Sequence, residues 1–103
     1  MFVVIFRARV RQFDAQYTSV AAQMRELALK DFGCLEFTAV TEGEQEIALS
    51  YWPDEASIRA WKQQADHQMA QQLGRERWYA SYSVEIAEIQ RSYARPSSAP
   101  TPT

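Results

Sequence analysis

The sequence predicts a single α+β domain in which helices cover one face of an antiparallel sheet. Its length of 103 residues is that of one domain. Several short stretches are rich in β-branched and aromatic residues that alternate, and two longer stretches repeat apolar residues at helical spacing. In chain order these stretches predict strand, helix, strand, strand, helix and strand.

The first strand and the first helix are predicted from the N-terminal third. Phe2–Val10 alternates like a strand, and its first half is apolar on both faces. Asp14 is a suitable N-cap for a helix that runs to about Lys30 with one apolar stripe. Gly33 follows at the point where a helix commonly ends.

The second and third strands are predicted as a hairpin. They are Cys34–Thr41 and Gln45–Trp52, and the turn Glu42-Gly43-Glu44 joins them. Because a turn this short brings its flanking strands side by side, we expect antiparallel pairing. One face of the third strand is apolar and consists of Ile47, Leu49 and Tyr51.

The second helical region follows Pro53, and Asp54 is its predicted N-cap. Asp66 is predicted as a fresh N-cap, so that a second helical segment starts there and meets Gly74. His67 then lies in the first turn of that segment. The apolar face before this break consists of Ile58, Trp61 and Ala65.

The last strand is predicted at Tyr82–Tyr93, and a disordered tail follows it. Three of the four prolines lie in Ala94–Thr103, which has no large apolar side chain to anchor it. The predicted organisation is therefore one domain over residues 1–93 and a disordered tail over residues 94–103.

The predicted order β-α-β-β-α-β is that of the ferredoxin-like fold, whose sheet carries both helices on one face. The opposite face then stays bare, although the first strand is apolar on both sides. A second copy packed sheet against sheet would cover it, so we expect a homodimer. The last strand supports this expectation, because its twelve predicted residues would span about 40 Å and overrun their own sheet.

Charge and composition argue against several classes of function. The net charge is −2 and the pI is about 5.4, so no nucleic-acid partner is expected. One cysteine and one histidine are too few for a protein-only zinc site. No GxGxxG occurs among the three glycines, so neither a flavin nor a nicotinamide site is expected. No signal peptide and no membrane span are expected either, which makes the cytoplasm the default compartment.

Residues 50–61, with the sequence SYWPDEASIRAW, resemble the central signature of the antibiotic biosynthesis monooxygenase family. The likeness continues through Asp66-His67, Gly74-Arg75-Glu76 and Trp78-Tyr79 to the end of the last strand. It implies a dimeric α+β barrel. The superfamily includes cofactor-free oxygenases of aromatic polyketides and quinols, haem-degrading enzymes, and members with no known reaction.

His67 is the candidate catalytic base, because it is the only imidazole in the chain. In the first turn of a helix, the helix dipole favours its neutral form, which could accept a phenol proton, while Asp66 opposes that effect. The alternative is a histidine that only makes local hydrogen bonds.

The candidate substrate-binding residues are mostly aromatic. Trp61 is either a core residue or a wall against which a flat ligand stacks. Trp52 and Tyr51 point to opposite faces of the sheet, so only one of them can face a pocket between helices and sheet. The cluster near the expected pocket mouth contains Arg75, which could hold a phenolate or carboxylate, together with Trp78 and Tyr82.

The resemblance and these residues together favour a monooxygenase with no metal and no bound flavin, acting on a quinol-like or polycyclic phenol. A non-catalytic dimeric binding or stress-response protein is the alternative. Haem degradation is less favoured, since the haem-degrading relatives have a histidine ten residues beyond the helix tryptophan and an asparagine in the first strand. Here that position is Gln71, and the first strand has no asparagine.

Overall fold

The computed structural model describes residues 1–71 and 74–96. Four strands and three helices follow one another in the order that the sequence predicts, with a short third helix added before the last strand. Their bounds are β1 Phe2–Val10, α1 Ala15–Asp31, β2 Glu36–Glu42, β3 Gln45–Trp52, α2 Glu55–Gln71, α3 Gly74–Trp78 and β4 Tyr79–Glu88.

The sheet has the strand order β2-β3-β1-β4, and each neighbouring pair is antiparallel. The two long helices pack on one face of it, because buried side chains of β1 and β3 share clusters with buried side chains of α1 and α2. This arrangement confirms the ferredoxin-like α+β fold.

Two hydrophobic clusters hold the helices on the sheet, and they lie at opposite ends of the helix-covered face. At one end the α1 residues Tyr17 and Val20 pack with Ala8, Val10, Trp78 and Tyr79. At the other end Ala28 of α1 and Ile58 of α2 pack with Val4, Cys34 and Trp52. Because the core is divided in this way, neither cluster fills the middle of the helix-covered face.

Two of the three predicted N-caps, Asp14 and Asp54, are confirmed. Asp14 accepts the backbone N–H of Tyr17 at 2.7 Å, and this bond is the main reason that the pKa of Asp14 is lowered. Asp54 accepts the backbone N–H of Ser57 at 2.7 Å in the same way. Gly33, with φ of 81°, takes the left-handed conformation that follows the first helix.

The predicted break in the second helical region is wrong, because α2 continues through it without interruption. Asp66 does not cap a new helix; its carboxylate accepts a hydrogen bond from Lys62 one turn earlier, at 3.2 Å. Glutamine, alanine and lysine dominate this stretch and favour helix, so no residue interrupts it. His67 therefore lies inside a long helix rather than in a first turn, and the helix-dipole argument for its neutral form does not hold.

The predicted bounds of the last strand are also wrong. The strand β4 starts at Tyr79 rather than Tyr82 and ends at Glu88. Within residues 1–71 and 74–96 its only neighbour is β1, and the last pairing bond runs from the Ile89 N–H to the Met1 carbonyl at 2.9 Å. Beyond that bond the described part of the chain offers no partner strand, and residues 91–96 have no regular structure. Residues 97–103 of the predicted tail lie outside the described residues.

No helix among the described residues 1–71 and 74–96 combines the length and apolar character that a membrane crossing requires.

Candidate functional site

A cavity of about 400 Å³ lies between the two long helices and the sheet. Its size is within the range of small-molecule sites, which are typically about 300 to 1,000 Å³. Most of its lining is apolar or aromatic, and it opens to the surface between α1 and α2. The cavity thus occupies the middle of the helix-covered face, between the two hydrophobic clusters.

The floor of the cavity is formed by rows of paired residues across the sheet. Two of the rows have a larger side chain on β4 and a small one, Ala48 or Ser50, on β3, which leaves space over β3. On β2, Ala39 pairs with Ala48 and extends this region of small side chains. The rows are Tyr82–Ala8–Glu46, Val84–Phe6–Ala48 and Ile86–Val4–Ser50.

Trp61 forms one wall of the cavity and is half-buried. Its indole N–H donates to the Met24 carbonyl at 3.0 Å, which fixes the ring against α1. Behind it, Trp52 is fully buried, with the two ring centroids 5.4 Å apart. Phe37 meets the Trp61 ring edge to face at 6.0 Å. The ring is therefore both a core residue and an exposed aromatic surface for a ligand.

The opposite end of the cavity is polar. The Tyr17 hydroxyl donates a short hydrogen bond to the Glu46 carboxylate, and the rings of Tyr17 and Tyr79 meet edge to face with their centroids 5.9 Å apart. All three side chains line the cavity. Burial, more than any other cause, raises the pKa of Tyr17, and it raises the pKa of Tyr79 to about 12. Both phenols are therefore neutral at physiological pH.

Three charged side chains lie at the rim where the cavity opens between the helices. Arg25 projects from α1, while Lys62 and Asp66 come from α2 and pair at 3.2 Å. These groups are exposed or half-exposed, so solvent screens their charges. They form a charged rim, whereas the polar groups deeper in the cavity include the hydroxyls of Tyr17 and Tyr79.

The structure brings together only some of the predicted site residues. Trp61 and Tyr82 line the cavity. Trp52 faces the helices, as opposed to Tyr51, and lies behind Trp61. Trp78 is fully buried in the cluster at the β4 end, where its indole N–H points to Asp14 at 3.3 Å.

Two other predicted site residues, His67 and Arg75, are not among the described residues that line the cavity. The His67 side chain is exposed on α2, and it is not among the described residues that line the cavity. The side chain of Arg75 lies outside the described residues. Its neighbour Arg77 does not face the cavity; it pairs with the Asp14 carboxylate at 2.7 Å and ties α3 to the start of α1.

Tyr17, Glu46 and Tyr79 are functional candidates that sequence reasoning missed. One signal was available, since strand alternation places Glu46 on the same face as Trp52, opposite the apolar face of Ile47, Leu49 and Tyr51. A carboxylate on a helix-covered face requires a polar partner. The inward sequence Glu46, Ala48 and Ser50 is also too small and too polar for a filled core.

The fold and the cavity define a ferredoxin-like protein with an internal cavity of small-molecule size. No family model matches the chain. It is 34% identical to the uncharacterized protein YqjZ of Bacillus subtilis over 91 residues, which cover 87% of this chain and 80% of that protein. It is 35% identical to jasmonate monooxygenase ABM of Pyricularia oryzae over 98 residues. That match covers 89% of this chain but 45% of the fungal protein, so the chain spans less than half of its length.

A solved structure from Nitrosomonas europaea, provisionally described as an antibiotic biosynthesis monooxygenase, has the same fold. Its TM-score is 0.70 at 16% identity, and the match covers 88% of this chain and all of that one. The chain therefore shares the fold of that structure, and it belongs to the same family as the YqjZ protein.

Proposed function

We propose that this chain is a cofactor-independent monooxygenase that oxidises a small aromatic, quinol-type molecule in the helix–sheet cavity. The observation that carries the proposal is the cavity itself. It combines an aromatic wall at Trp61, a small apolar side chain on the floor at Ala48 and a polar end at Tyr79. A planar ligand of two or three fused rings suits a space of about 400 Å³.

The reaction fits a site that supplies binding and proton transfer only. In an electron-rich phenol, one oxygen atom of O₂ becomes a new carbonyl oxygen at a ring carbon. The other leaves as water with two substrate hydrogens, one from that carbon and one from the phenol hydroxyl. The substrate provides all the electrons, so the balance needs no external reductant. Loss of the phenol proton makes the ring reactive towards oxygen, and the protein contributes a dry cavity and a proton acceptor.

The proton acceptor has two candidates. The sequence points to His67, the only imidazole, but its exposed side chain is not among the described residues that line the cavity. The polar end of the cavity contains Glu46, which lines the space and accepts a hydrogen bond from the Tyr17 hydroxyl. The first candidate predicts that His67→Ala lowers turnover by roughly 10²- to 10⁴-fold.

Oxygen uptake tests the proposal. Purified protein, dialysed against EDTA and given no cofactor, should consume one O₂ per molecule of a hydroquinone, naphthol or anthrone-type substrate. Jasmonate belongs in the panel because a relative has that name. Ligand binding without oxygen uptake across the whole panel would contradict the proposal and favour a non-catalytic binding protein with the same cavity.

The proposed enzyme is a homodimer. The face of the sheet opposite the helices exposes apolar side chains on β2 and β3, where Val40 is 61% and its partner Ile47 is 37% exposed. Arg7 of β1 lies opposite Ile47 and pairs with Glu85 of β4 at 2.6 Å. A second copy packed on this face by a two-fold axis would bury these apolar side chains.

A further inference from the structure

A buried hydroxyl group lies at the aromatic end of the cavity. Ser50 of β3 is 3% exposed and lines the cavity. It pairs with Phe37 on β2, whose ring meets Trp61 edge to face at 6.0 Å. The hydroxyl therefore lies beside the Trp61 wall, whereas Glu46 lies four residues earlier on the same strand, about 13 Å away along the backbone.

One hydrogen bond determines how this hydroxyl can act. The indole N–H of Trp52, a fully buried residue, donates to the Ser50 Oγ at 2.8 Å. Because the oxygen accepts from the indole, the hydroxyl proton points elsewhere. Within residues 1–71 and 74–96 that proton meets no acceptor. Buried hydroxyl groups normally use their hydrogen-bonding capacity, so the proton of Ser50 is available to an acceptor inside the cavity.

The other end of the cavity has the opposite hydrogen-bonding character. Tyr17 commits its single hydroxyl proton to the Glu46 carboxylate, which accepts. The cavity thus has a donor at Ser50 and an acceptor at Glu46. A ligand that satisfies both has oxygens at opposite ends of its ring system, and the oxygen beside Ser50 only needs to accept.

We propose that Ser50 is a specificity-determining residue that donates a hydrogen bond to a carbonyl-type oxygen of the ligand. The ligand class is an aromatic ring system with a ketone or quinone-type oxygen against the Trp61 wall. Trp52 is a positioning residue that acts through Ser50. The inference rests on the proposed function and names the second oxygen of the substrate, as distinct from the phenol that loses its proton.

The same hydrogen bond assists the proposed reaction. When the substrate loses its phenol proton, negative charge spreads through the conjugated rings to the carbonyl oxygen at the other end. A donor that already points at that oxygen stabilises the charge as it develops. Ser50 keeps its proton, and no bond to it forms or breaks. With the best substrate of the oxygen-uptake panel, Ser50→Ala should lower kcat by about 10²-fold, and wild-type kcat in this variant refutes the step.

Two probes without a phenol group measure recognition alone. They are 9-fluorenone and fluorene, which share their fused rings and differ in one carbonyl oxygen. The ratio of the fluorene Kd to the fluorenone Kd should be roughly three- to tenfold higher in wild type than in Ser50→Ala. Ser83→Ala is the matched control, because Ser83 pairs with Arg7 on the opposite face of the sheet and does not line the cavity. It should keep the wild-type ratio.

Infrared spectroscopy observes the hydrogen bond directly in wild type. The carbonyl stretching band of bound 9-fluorenone should lie at a lower frequency than in an apolar solvent, and Ser50→Ala should shift it back. That variant leaves the buried Trp52 N–H without its acceptor, so its melting temperature should fall by several degrees. Ser50→Cys keeps a weak donor and a weak acceptor in place, so it should melt closer to wild type and shift the band part of the way.

The outcomes separate this inference from the proposed function. An unchanged Kd ratio in Ser50→Ala, or a wild-type carbonyl band at the apolar-solvent frequency, overturns the role of Ser50 and leaves the oxygenase proposal intact. Failure of wild type to bind either probe also overturns it. A carbonyl preference that Ser50→Ala abolishes, in a protein that consumes no oxygen across the panel, supports recognition by Ser50 and refutes the oxygenase.

Discussion

A larger side chain on the floor of the cavity gives the most direct test of where a ligand binds. Ala48 is at the centre of the sheet, where it pairs with Phe6 on β1 and Ala39 on β2, and it lines the cavity. The change Ala48→Leu points three additional carbon atoms into this space. If the cavity is the ligand site, the substitution should stabilise the fold and weaken binding at the same time.

The magnitudes follow from the geometry. Each buried methylene contributes about 0.8 kcal/mol, which gives about 2.4 kcal/mol for three carbons. Fixing the leucine rotamer costs about 0.5 to 1 kcal/mol, so the free energy of unfolding should rise by roughly 1 to 2 kcal/mol. A flat ligand must then displace the leucine or overpack against it, at a cost of about 1 to 3 kcal/mol. Affinity for 1-naphthol should fall about tenfold or more.

Urea unfolding and a fluorescence titration with 1-naphthol measure the two effects. Ala60→Leu is the matched control, because it makes the same chemical change at an exposed position of α2 that is not among the described lining residues. The control should leave affinity unchanged. If Ala48→Leu binds 1-naphthol as wild type does, the ligand lies elsewhere and the cavity is not the site.

The remaining predictions concern the cavity wall, the assembly, the tail and alkaline pH. Trp61→Phe removes the hydrogen bond to the Met24 carbonyl, so thermal melting should show a loss of roughly 1 kcal/mol, while ligand affinity should fall with the smaller stacking area. Sedimentation at micromolar concentration should give about twice 11.9 kDa, and a clean monomer would contradict the dimer. Deleting Ala94–Thr103 should change neither melting nor sedimentation, and a drop of several degrees would mean that the tail docks. The pKa of Tyr79 is raised in the fold from 10.0 to about 12, so its neutral form contributes stability that is complete below pH 10 and is lost as the pH rises towards 12. Denaturant titrations across that range should show this loss in wild type and a smaller one in Tyr79→Phe.

The elements that the sequence predicts correctly are those with strong local signals. The turn at Gly43 fixes the hairpin, and β3 has the predicted bounds, Gln45–Trp52. Asp14 and Asp54 are recognisable caps because the residues that they satisfy follow them directly. Hydrophobic periodicity and helix capping depend on a few neighbouring residues, so they can be recognised without the rest of the chain.

The errors occur where a distant partner decides the structure. A residue such as Asp66 suits an N-cap and also suits a helix surface, and the lysine one turn earlier decides between the two. The last strand is predicted too long because its alternation continues past Glu88. Strand hydrogen bonds need a neighbouring strand, and β1 begins at Phe2, the residue that pairs with Glu88. Sequence period shows what a segment can form, whereas pairing determines how far it extends.

The candidate site depends on tertiary packing, whereas the individual helices and strands depend more on local sequence. Trp61 is identifiable from its position on an apolar helix face, and Tyr82 from its place in an alternating strand. The polar end instead requires Tyr17 of α1 to meet Glu46 of β3, which is 29 residues away in sequence. Strand alternation places Glu46 on the helix-covered face, but only the packing of α1 selects its partner. A carboxylate predicted on a face that helices cover is therefore a useful signal of a buried polar site, because the fold must supply it with a donor.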